Sequence, residues 1–173
     1  IYKLKGENKV LVSLARAGIP AGILLKRYFK FKYNCDVSHY SISIIRGKGI
    51  DNNAVKYITE GHNSKDIIFV DGWTGKGAIL NELKKSVENF EGLSSELAVI
   101  ADPANITNLC GTNEDILIPS SCLNATVSGL ISRTFLRNDI IGENDFHGAI
   151  FYEEFADQDV SYEFIESIEK YFR

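Results

Sequence analysis

The sequence predicts an α/β fold with a mainly parallel sheet flanked by helices, in a single domain over residues 1–173. Short apolar runs rich in β-branched residues alternate with longer segments of helical period, a pattern typical of parallel sheets with crossover helices. The length of 173 residues suits one domain, and the 45% of hydrophobic residues can fill one core.

The first predicted elements form a strand, a helix, a second strand and a second helix. The apolar run Val10–Ala15 is the first strand. Pro20 lies in the first turn of the helix that follows and that extends to about Lys30. Residues 40–45 are the second strand, and Asp51 caps the helix after it because an Asp side chain can accept from a free backbone N–H.

Residues 67–70 are the clearest strand, since all four are apolar and each is β-branched or aromatic. A helix with one apolar face follows between Ala78 and Val87. Leu97–Ala101 is the fourth strand. The remaining predicted elements are a fifth strand at residues 116–118, a helix holding Val127, Leu130 and Ile131, an edge strand at residues 146–151 and a terminal helix over residues 160–172.

Charge and composition exclude several functional classes. The 19 basic and 23 acidic residues give a net charge of −4 and are spread along the chain, so bulk binding to nucleic acid or to a membrane surface is not expected. No apolar run approaches the roughly 18 residues that cross a bilayer, and the first residues lack the apolar stretch of a secretory leader. A cytoplasmic protein is therefore expected.

Two further features bear on the setting of the protein. The three cysteines include no C-x-x-C pair, which argues against a disulfide framework and a structural zinc site. The sequence contains no methionine, which is expected of a segment cut from a longer polypeptide. The remainder of that polypeptide is an expected partner, and a homodimer is a further expectation.

Residues able to bind phosphate cluster at the predicted carboxyl ends of the strands, where open α/β sheets bind ligands. Those ends carry residues 13–18, 46–49, 71–77, Asp102 and residues 120–122, which are rich in glycine, serine and charge. Glycines that allow a close backbone approach, helix N-termini and nearby cations favour phosphate binding, although glycine and serine also end strands that bind nothing. The spacing fits neither a Walker loop nor a dinucleotide fingerprint.

Two of these loops resemble the ligand loops of type I phosphoribosyltransferases. Residues 67–71 (IIFVD) and 74–77 (TGKG) match the two ends of that family's PRPP loop, and residues 12–20 (VSLARAGIP) are similar to its pyrophosphate loop. The resemblance implies a phosphoribosyltransferase-like fold that binds PRPP, or a related phosphorylated sugar or nucleotide, together with Mg²⁺. The ligand-binding residues that it implies are Ser13, Arg16, Ala17, Gly18, Gly72, Trp73, Thr74, Gly75, Lys76 and Gly77.

The same resemblance implies roles in displacing pyrophosphate from the sugar. Arg46 and Lys48, with Mg²⁺ and Arg16, would neutralise the leaving group, while Asp71 would face the ribose or the metal. Gly72 stands where the family has a second acidic residue. A module that binds a nucleotide without chemistry is therefore an alternative to a transferase.

At a narrower level, three segments resemble one bacterial family. These are residues 41–51 (SISIIRGKGID), 70–79 (VDGWTGKGAI) and 145–149 (DFHGA). The family comprises phosphoribosyltransferase-like proteins linked to tellurite-resistance and stress operons, and its members often carry the name cysteine protease StiP. The resemblance implies a bacterial stress context.

The alternative hydrolase reading uses Cys122 and His147. Cys122 is expected in the first turn of a helix, where the helix N-terminus would lower the pKa of the thiol and favour a nucleophilic thiolate. Asp145 or Asn124 would orient His147. Iodoacetamide is then expected to modify Cys122 faster than the two structural cysteines, Cys35 and Cys110, while His39 and His62 have no partner at ligand spacing.

Overall fold

Six strands form one sheet in the computed structural model, which describes residues 1–2, 6 and 8–173. The strands are β1 (Val10–Ala15), β2 (Ser38–Ile45), β3 (Gly49–Ile50), β4 (Ile67–Trp73), β5 (Leu97–Ala101) and β6 (Leu109–Thr112). Their spatial order is β3-β2-β1-β4-β5-β6, and each neighbouring pair is parallel except the β2–β3 hairpin. The predicted α/β class with a mainly parallel sheet is confirmed.

The helices connect and flank these strands. They are α1 (Gly18–Tyr33), α2 (Asn52–Gly61), α3 (Ala78–Val87), α4 (Ile118–Ser121) and α5 (Ser161–Glu169), with 3₁₀ turns at Ser64–Asp66 and Glu153–Gln158. Asp51 caps α2 as predicted, because its Oδ1 accepts from the backbone N–H of Ala54 at 3.0 Å. Among the described residues, no helix combines the length and the apolar character needed to cross a membrane.

Side chains along each strand point alternately to the two faces of the sheet, and the apolar ones form a core on each face. Val12 and Leu14 of β1 pack with Phe69 of β4 and Leu83 of α3 on one face. On the other face, Leu11 packs with the α1 side chains, and α1 in turn contacts α5. Because successive residues of a strand point to opposite faces, the sheet is covered on both sides, as parallel sheets are.

The predictions after β5 are wrong in three places. The fifth parallel strand lies at residues 109–112 rather than 116–118, because the latter residues run into the helical turn that contains Pro119. No helix forms around Val127, since Gly129 and Leu130 have left-handed φ angles of 82° and 56° that interrupt it. Residues 146–151 make only two isolated bridges rather than an edge strand.

Strand order creates a crevice beside the centre of the sheet. The chain leaves β1 toward β2 on one side and returns to β4 on the other, so a crevice opens beyond the carboxyl ends of β1 and β4. Gly18, at the start of α1, lies against β4 so closely that a Cβ there would meet the carbonyl oxygen of Val70 at 2.2 Å. The fold therefore brings the end of β1 and residues 71–73 to one place.

Candidate functional site

Asp71 is a buried carboxyl group at the crevice. Only 8% of the residue is exposed, and its Oδ1 accepts from the backbone N–H of Gly72 at 2.7 Å. Burial raises the pKa of Asp71 to about 7, although the Gly72 hydrogen bond acts in the opposite direction. A carboxyl group that titrates near neutral pH is suited to accept and return protons.

Cys122 lies close to Asp71 through the packing of α4 on β4. A Cβ at Gly72 would be 3.5 Å from Cβ of Pro119, so the absence of a side chain there lets α4 approach. Cys122 is fully buried, and its Sγ lies 3.8 Å from the carbonyl oxygen of Ile118. Burial, and then the charge of Asp71, raise the pKa of the thiol to about 11.

The expected position of Cys122 at a helix start is wrong. Cys122 is the C-terminal capping residue of the four-residue helix α4. This position lacks the effect of a helix N-terminus that was expected to lower the pKa of the thiol. Burial, and then the charge of Asp71, raise that pKa instead.

We expect Cys122 to be alkylated more slowly than the partly exposed Cys110, the reverse of the order expected from the sequence. The thiolate is the reactive species, and Cys122 is both covered and weakly acidic. Peptide mapping after timed exposure of the folded protein to iodoacetamide gives the three rates. The rate at Cys122 should still be rising at pH 10, and a faster reaction at Cys122 than at Cys110 at pH 7 would contradict this expectation.

His147 bonds to residues other than Cys122. Its backbone N–H donates to Oδ2 of Asp51 at 2.7 Å, and its Nδ1 lies 2.9 Å from Oγ of Ser43. Burial lowers the pKa of His147, while the charge of Asp51 opposes that effect. Ser43 was missed by the sequence analysis, since one serine in an alternating strand carries no distinct signal.

The two residues that were predicted to orient His147 form hydrogen bonds with other groups. Oδ2 of Asp145 accepts from the backbone N–H of Gly142 at 2.8 Å, and Oδ1 of Asn124 accepts from the backbone N–H of Thr126 at 3.2 Å. The hydrogen bonds described for His147 do not include the thiol of Cys122. The structure therefore does not form the predicted cysteine–histidine pair.

Ser13 forms a hydrogen bond with the start of α1. Its fully buried Oγ donates to the carbonyl oxygen of Gly18 at 2.8 Å and lies 2.8 Å from Nε2 of His39. Burial, and then the charge of Lys26, lower the pKa of His39 to about 4, so its ring is neutral at pH 7. These contacts give Ser13 a structural role within the segment that was expected to bind pyrophosphate.

Arg16 and Ala17, in the same segment as Ser13, lie near the end of β4 and the residues that follow Cys122. Nη1 of Arg16 donates to the carbonyl oxygen of Ile131 at 2.9 Å, and its buried Nε has no hydrogen-bond partner among the described residues. Ala17 also borders the crevice, because a Cβ at Gly72 would lie 3.4 Å from its carbonyl oxygen. The structure thus brings Arg16, Ala17 and Gly18 next to the end of β4, as the sequence predicted.

The turn between β4 and α3 lies at the carboxyl end of β4, as predicted. Gly75 and Gly77 have φ angles of 55° and 81°, and the backbone N–H of Gly77 donates to the carbonyl oxygen of Thr74 at 2.9 Å. The side chain of Thr74 donates to Oδ1 of the buried Asp102 at 2.8 Å. Trp73 is 43% exposed, and Lys76 is exposed.

Asp102 organises two loops at this end of the sheet. Its Oδ2 accepts from the backbone N–H groups of Ile106 and Thr107 at 2.8 and 2.9 Å. Burial opposes ionisation, but the hydrogen bonds from Thr107, Thr74 and Ile106 outweigh it and lower the pKa of Asp102. Asp102 was predicted at a strand end, but its role in holding these loops was not predicted.

The structure does not group Arg46 and Lys48 with Asp71. Both are exposed in the turn of the β2–β3 hairpin, where the backbone N–H of Gly47 donates to Glu82 at 2.9 Å. Strand β1 lies between that hairpin and β4. The three residues therefore do not form the expected joint catalytic set.

Asp71 is the carboxyl group that was expected to bind Mg²⁺ together with PRPP. Because burial raises its pKa to about 7, a cation that binds there would have to displace the proton of the acid form. Within the described residues, no three His, Cys, Asp or Glu side chains group together as metal ligands.

Comparisons with known proteins support the alternative prediction, a cysteine protease-type hydrolase. A family model described as tellurite-like stress resistance cysteine protease StiP matches residues 1–169. A protein of Acinetobacter baylyi named cysteine protease StiP is 43% identical to this chain over an alignment of 173 residues. The alignment covers 94% of this chain and 45% of that protein. The chain thus spans less than half the length of this relative, and no solved structure matches. These findings overturn the prediction of a PRPP-binding phosphoribosyltransferase.

Proposed function

This chain belongs to the StiP family of tellurite-like stress resistance cysteine proteases, and from that membership we propose that it carries the nucleophile of a cysteine peptidase. Cys122 is the proposed nucleophile and Asp71 its general base. The observation that carries this assignment is the packing of α4 on β4, which sets Pro119 against Gly72 and places Cys122 near enough to Asp71 for its charge to act on the thiol.

The chemistry uses Asp71 in place of the expected histidine. As the sulfur of Cys122 attacks a peptide carbonyl carbon, its proton passes to the carboxylate of Asp71. That proton then passes to the leaving amine as the C–N bond breaks, and water hydrolyses the thioester to restore the thiol and release an acid. A base with a pKa of about 7 is well matched to this exchange at neutral pH.

The described state is a shielded form of this centre. Cys122 is fully buried, while Leu117 and Leu123 on either side of α4 are 85% and 49% exposed. We propose that a bound substrate contacts these apolar side chains and displaces the short helix, which uncovers the sulfur.

The scaffold and the setting complete the proposal. The central crevice beside β1, with Arg16 and the 74–77 turn at its mouth, supports a phosphoribosyltransferase-like sheet used here for thiol chemistry. The free thiols of Cys110 and Cys122 support a reducing, cytoplasmic setting.

Mechanism-based labelling tests the proposed nucleophile. A blocked peptide chloromethyl ketone is expected to stop casein hydrolysis and to leave its mass on Cys122. Cys122→Ser should remove hydrolysis and labelling together, whereas Cys110→Ser, the matched control at a partly exposed cysteine, should retain both. Full hydrolysis by Cys122→Ser would overturn the assignment.

A further inference from the structure

Trp73 is an exposed aromatic residue beside the proposed general base. It is the last residue of β4, and 43% of its surface is exposed. Trp73 pairs with Ala101 in β5, two positions after the pairing of Asp71, so β4 is regular here and both side chains point to the same face of the sheet. The two Cα atoms are about 7 Å apart, because a strand advances ~3.3 Å per residue. The indole ring thus lies one strand repeat beyond the proposed base.

Ile106 is a second exposed apolar residue beside the same turn, with 38% of its surface exposed. A Cβ at Gly77 would meet Cδ1 of Ile106 at 2.8 Å, so the isoleucine side chain lies over that glycine. A Cβ at Gly75 would meet Cζ3 of the Trp73 ring at 3.3 Å. The two glycines therefore leave room for one apolar side chain at each end of the 74–77 turn.

The buried Asp102 holds the segments that carry both side chains. Its Oδ1 accepts from Oγ1 of Thr74, the residue after Trp73, and its Oδ2 accepts from the backbone N–H of Ile106, each at 2.8 Å. The backbone N–H of Thr74 also donates to the carbonyl oxygen of Ala101 at 3.3 Å. A binding surface that is ordered in advance loses less conformational entropy when a ligand binds.

The chemistry of this pair favours an apolar ligand, and an aromatic one above all. An exposed indole ring can stack with another aromatic ring, which adds to the burial of apolar surface by Trp73 and Ile106 together. Asp102 presents no charge to a ligand, because it is fully buried and hydrogen bonded. The exposed Lys76, on the same turn, disfavours a basic side chain.

We propose that Trp73 and Ile106 form the subsite that binds an apolar side chain of the peptide substrate, with an aromatic side chain preferred. An extended peptide also advances ~3.3 Å per residue, so this side chain belongs to a residue about two positions from the scissile bond. Trp73 is then a specificity-determining residue. The inference rests on the proposed function and deepens it, since it names the class of peptide that the peptidase cleaves.

Tryptophan fluorescence tests binding without any need for hydrolysis. Trp73 is the one tryptophan of the sequence, so the emission of the Cys122→Ser protein reports this site alone. The probe is a blocked pentapeptide with phenylalanine at its centre and alanine elsewhere, and the matched control has alanine throughout. The phenylalanine peptide should shift the emission to shorter wavelength in a saturable manner, because the indole ring loses water. Equal shifts with both peptides, or no shift with either, would refute the proposal.

Substitutions separate the subsite from the fold through the ratio of kcat/KM for the phenylalanine peptide to kcat/KM for the alanine peptide. Trp73→Ala should lower this ratio about tenfold and Ile106→Ala roughly threefold, whereas Trp73→Phe should retain most of it. A general loss of structure would lower both rates together and leave the ratio unchanged. The control Tyr57→Ala, at a tyrosine 61% exposed on α2, should keep the wild-type ratio. An unchanged ratio in Trp73→Ala would contradict the proposed subsite.

The remaining outcomes distinguish this inference from the proposed function. If the phenylalanine peptide shifts the emission while Cys122→Ser retains hydrolysis, the subsite stands and the assigned nucleophile fails. If Cys122→Ser removes hydrolysis while Trp73→Ala keeps the wild-type ratio, the subsite assignment alone fails. An emission that shifts to shorter wavelength as protein concentration rises, in the absence of peptide, would assign Trp73 to a contact with a second copy of the chain and overturn the subsite.

Discussion

Replacing Asp71 by asparagine is expected to lower kcat/KM for peptide hydrolysis by about 10²- to 10⁴-fold, the usual contribution of general acid–base catalysis. Asparagine has nearly the same shape and can still accept from Gly72, but it cannot take the proton of Cys122. The wild-type kcat/KM should rise with pH up to about 7, as Asp71 loses its proton. The variant should lack this rise.

The same substitution is expected to stabilise the fold above neutral pH. Because the folded pKa of Asp71 is raised from 3.8 to about 7, the native state binds more protons than the unfolded state between those values. Wild-type stability should fall as pH rises through this window, with a full cost of about 4 kcal/mol above pH 7. Asparagine removes that cost, so the difference should vanish near pH 4.

Urea unfolding at pH 4 and pH 8, with hydrolysis rates over the same range, measures both effects. Asp36→Asn is a suitable control, because the Asp36 side chain is 70% exposed and its replacement should change the free energy of unfolding by less than about 0.5 kcal/mol. A variant that is less stable than the wild type at pH 8 would show that the Asp71 carboxylate is stabilised in the fold.

Asp102→Ala is expected to reduce the free energy of unfolding by about 2 to 4 kcal/mol at pH 7. It removes the acceptor of the buried Thr74 hydroxyl and of two backbone N–H groups, and it leaves a cavity. Thermal unfolding followed by circular dichroism measures the loss. Because the pKa of Asp102 is lowered in the fold, its stabilising effect should be present above its ordinary value of 3.8 and decline as pH falls below it.

Asp102→Asn is the matched control for shape. It retains one oxygen acceptor, so its loss of stability should be smaller than that of Asp102→Ala. Equal losses in both variants would attribute the effect to the charge and not to the number of accepted hydrogen bonds.

Strands β1, β2, β4 and β5 and the central crevice were predictable from local pattern, whereas the two-residue strand β3 was not predicted. The run at residues 67–70 is apolar throughout, and Asp51 is a capping residue directly before a helical pattern, so short-range rules were sufficient. The segment after β5 failed for the opposite reason. Residues 116–118 are as apolar as a buried strand, and only Pro119 and the packing of α4 on β4 make them irregular.

The position of the site was predictable from the sequence, but the hydrogen-bond partners of its side chains were not. The carboxyl ends of β1 and β4 meet as the parallel order requires, which brings Arg16 and Asp71 to one crevice. The contacts of His147 depend on how residues 131–151 fold back, and this segment has only isolated bridges. No periodicity in the sequence encodes its bond to Ser43.

The position of β1 at the centre of the sheet has a consequence for how the nascent chain acquires this site. Val10 pairs with Ser38, 28 residues later, but with Ile67 only after 57 residues. Closing the longer loop costs more chain entropy, so pairing of β1 with β2 should precede docking of β4. Asp71 belongs to the late strand, and Cys122 follows still later in synthesis. The parallel pairing around β1 therefore forms before the crevice is complete, and the thiol of Cys122 can reach Asp71 only after most of the sheet has formed.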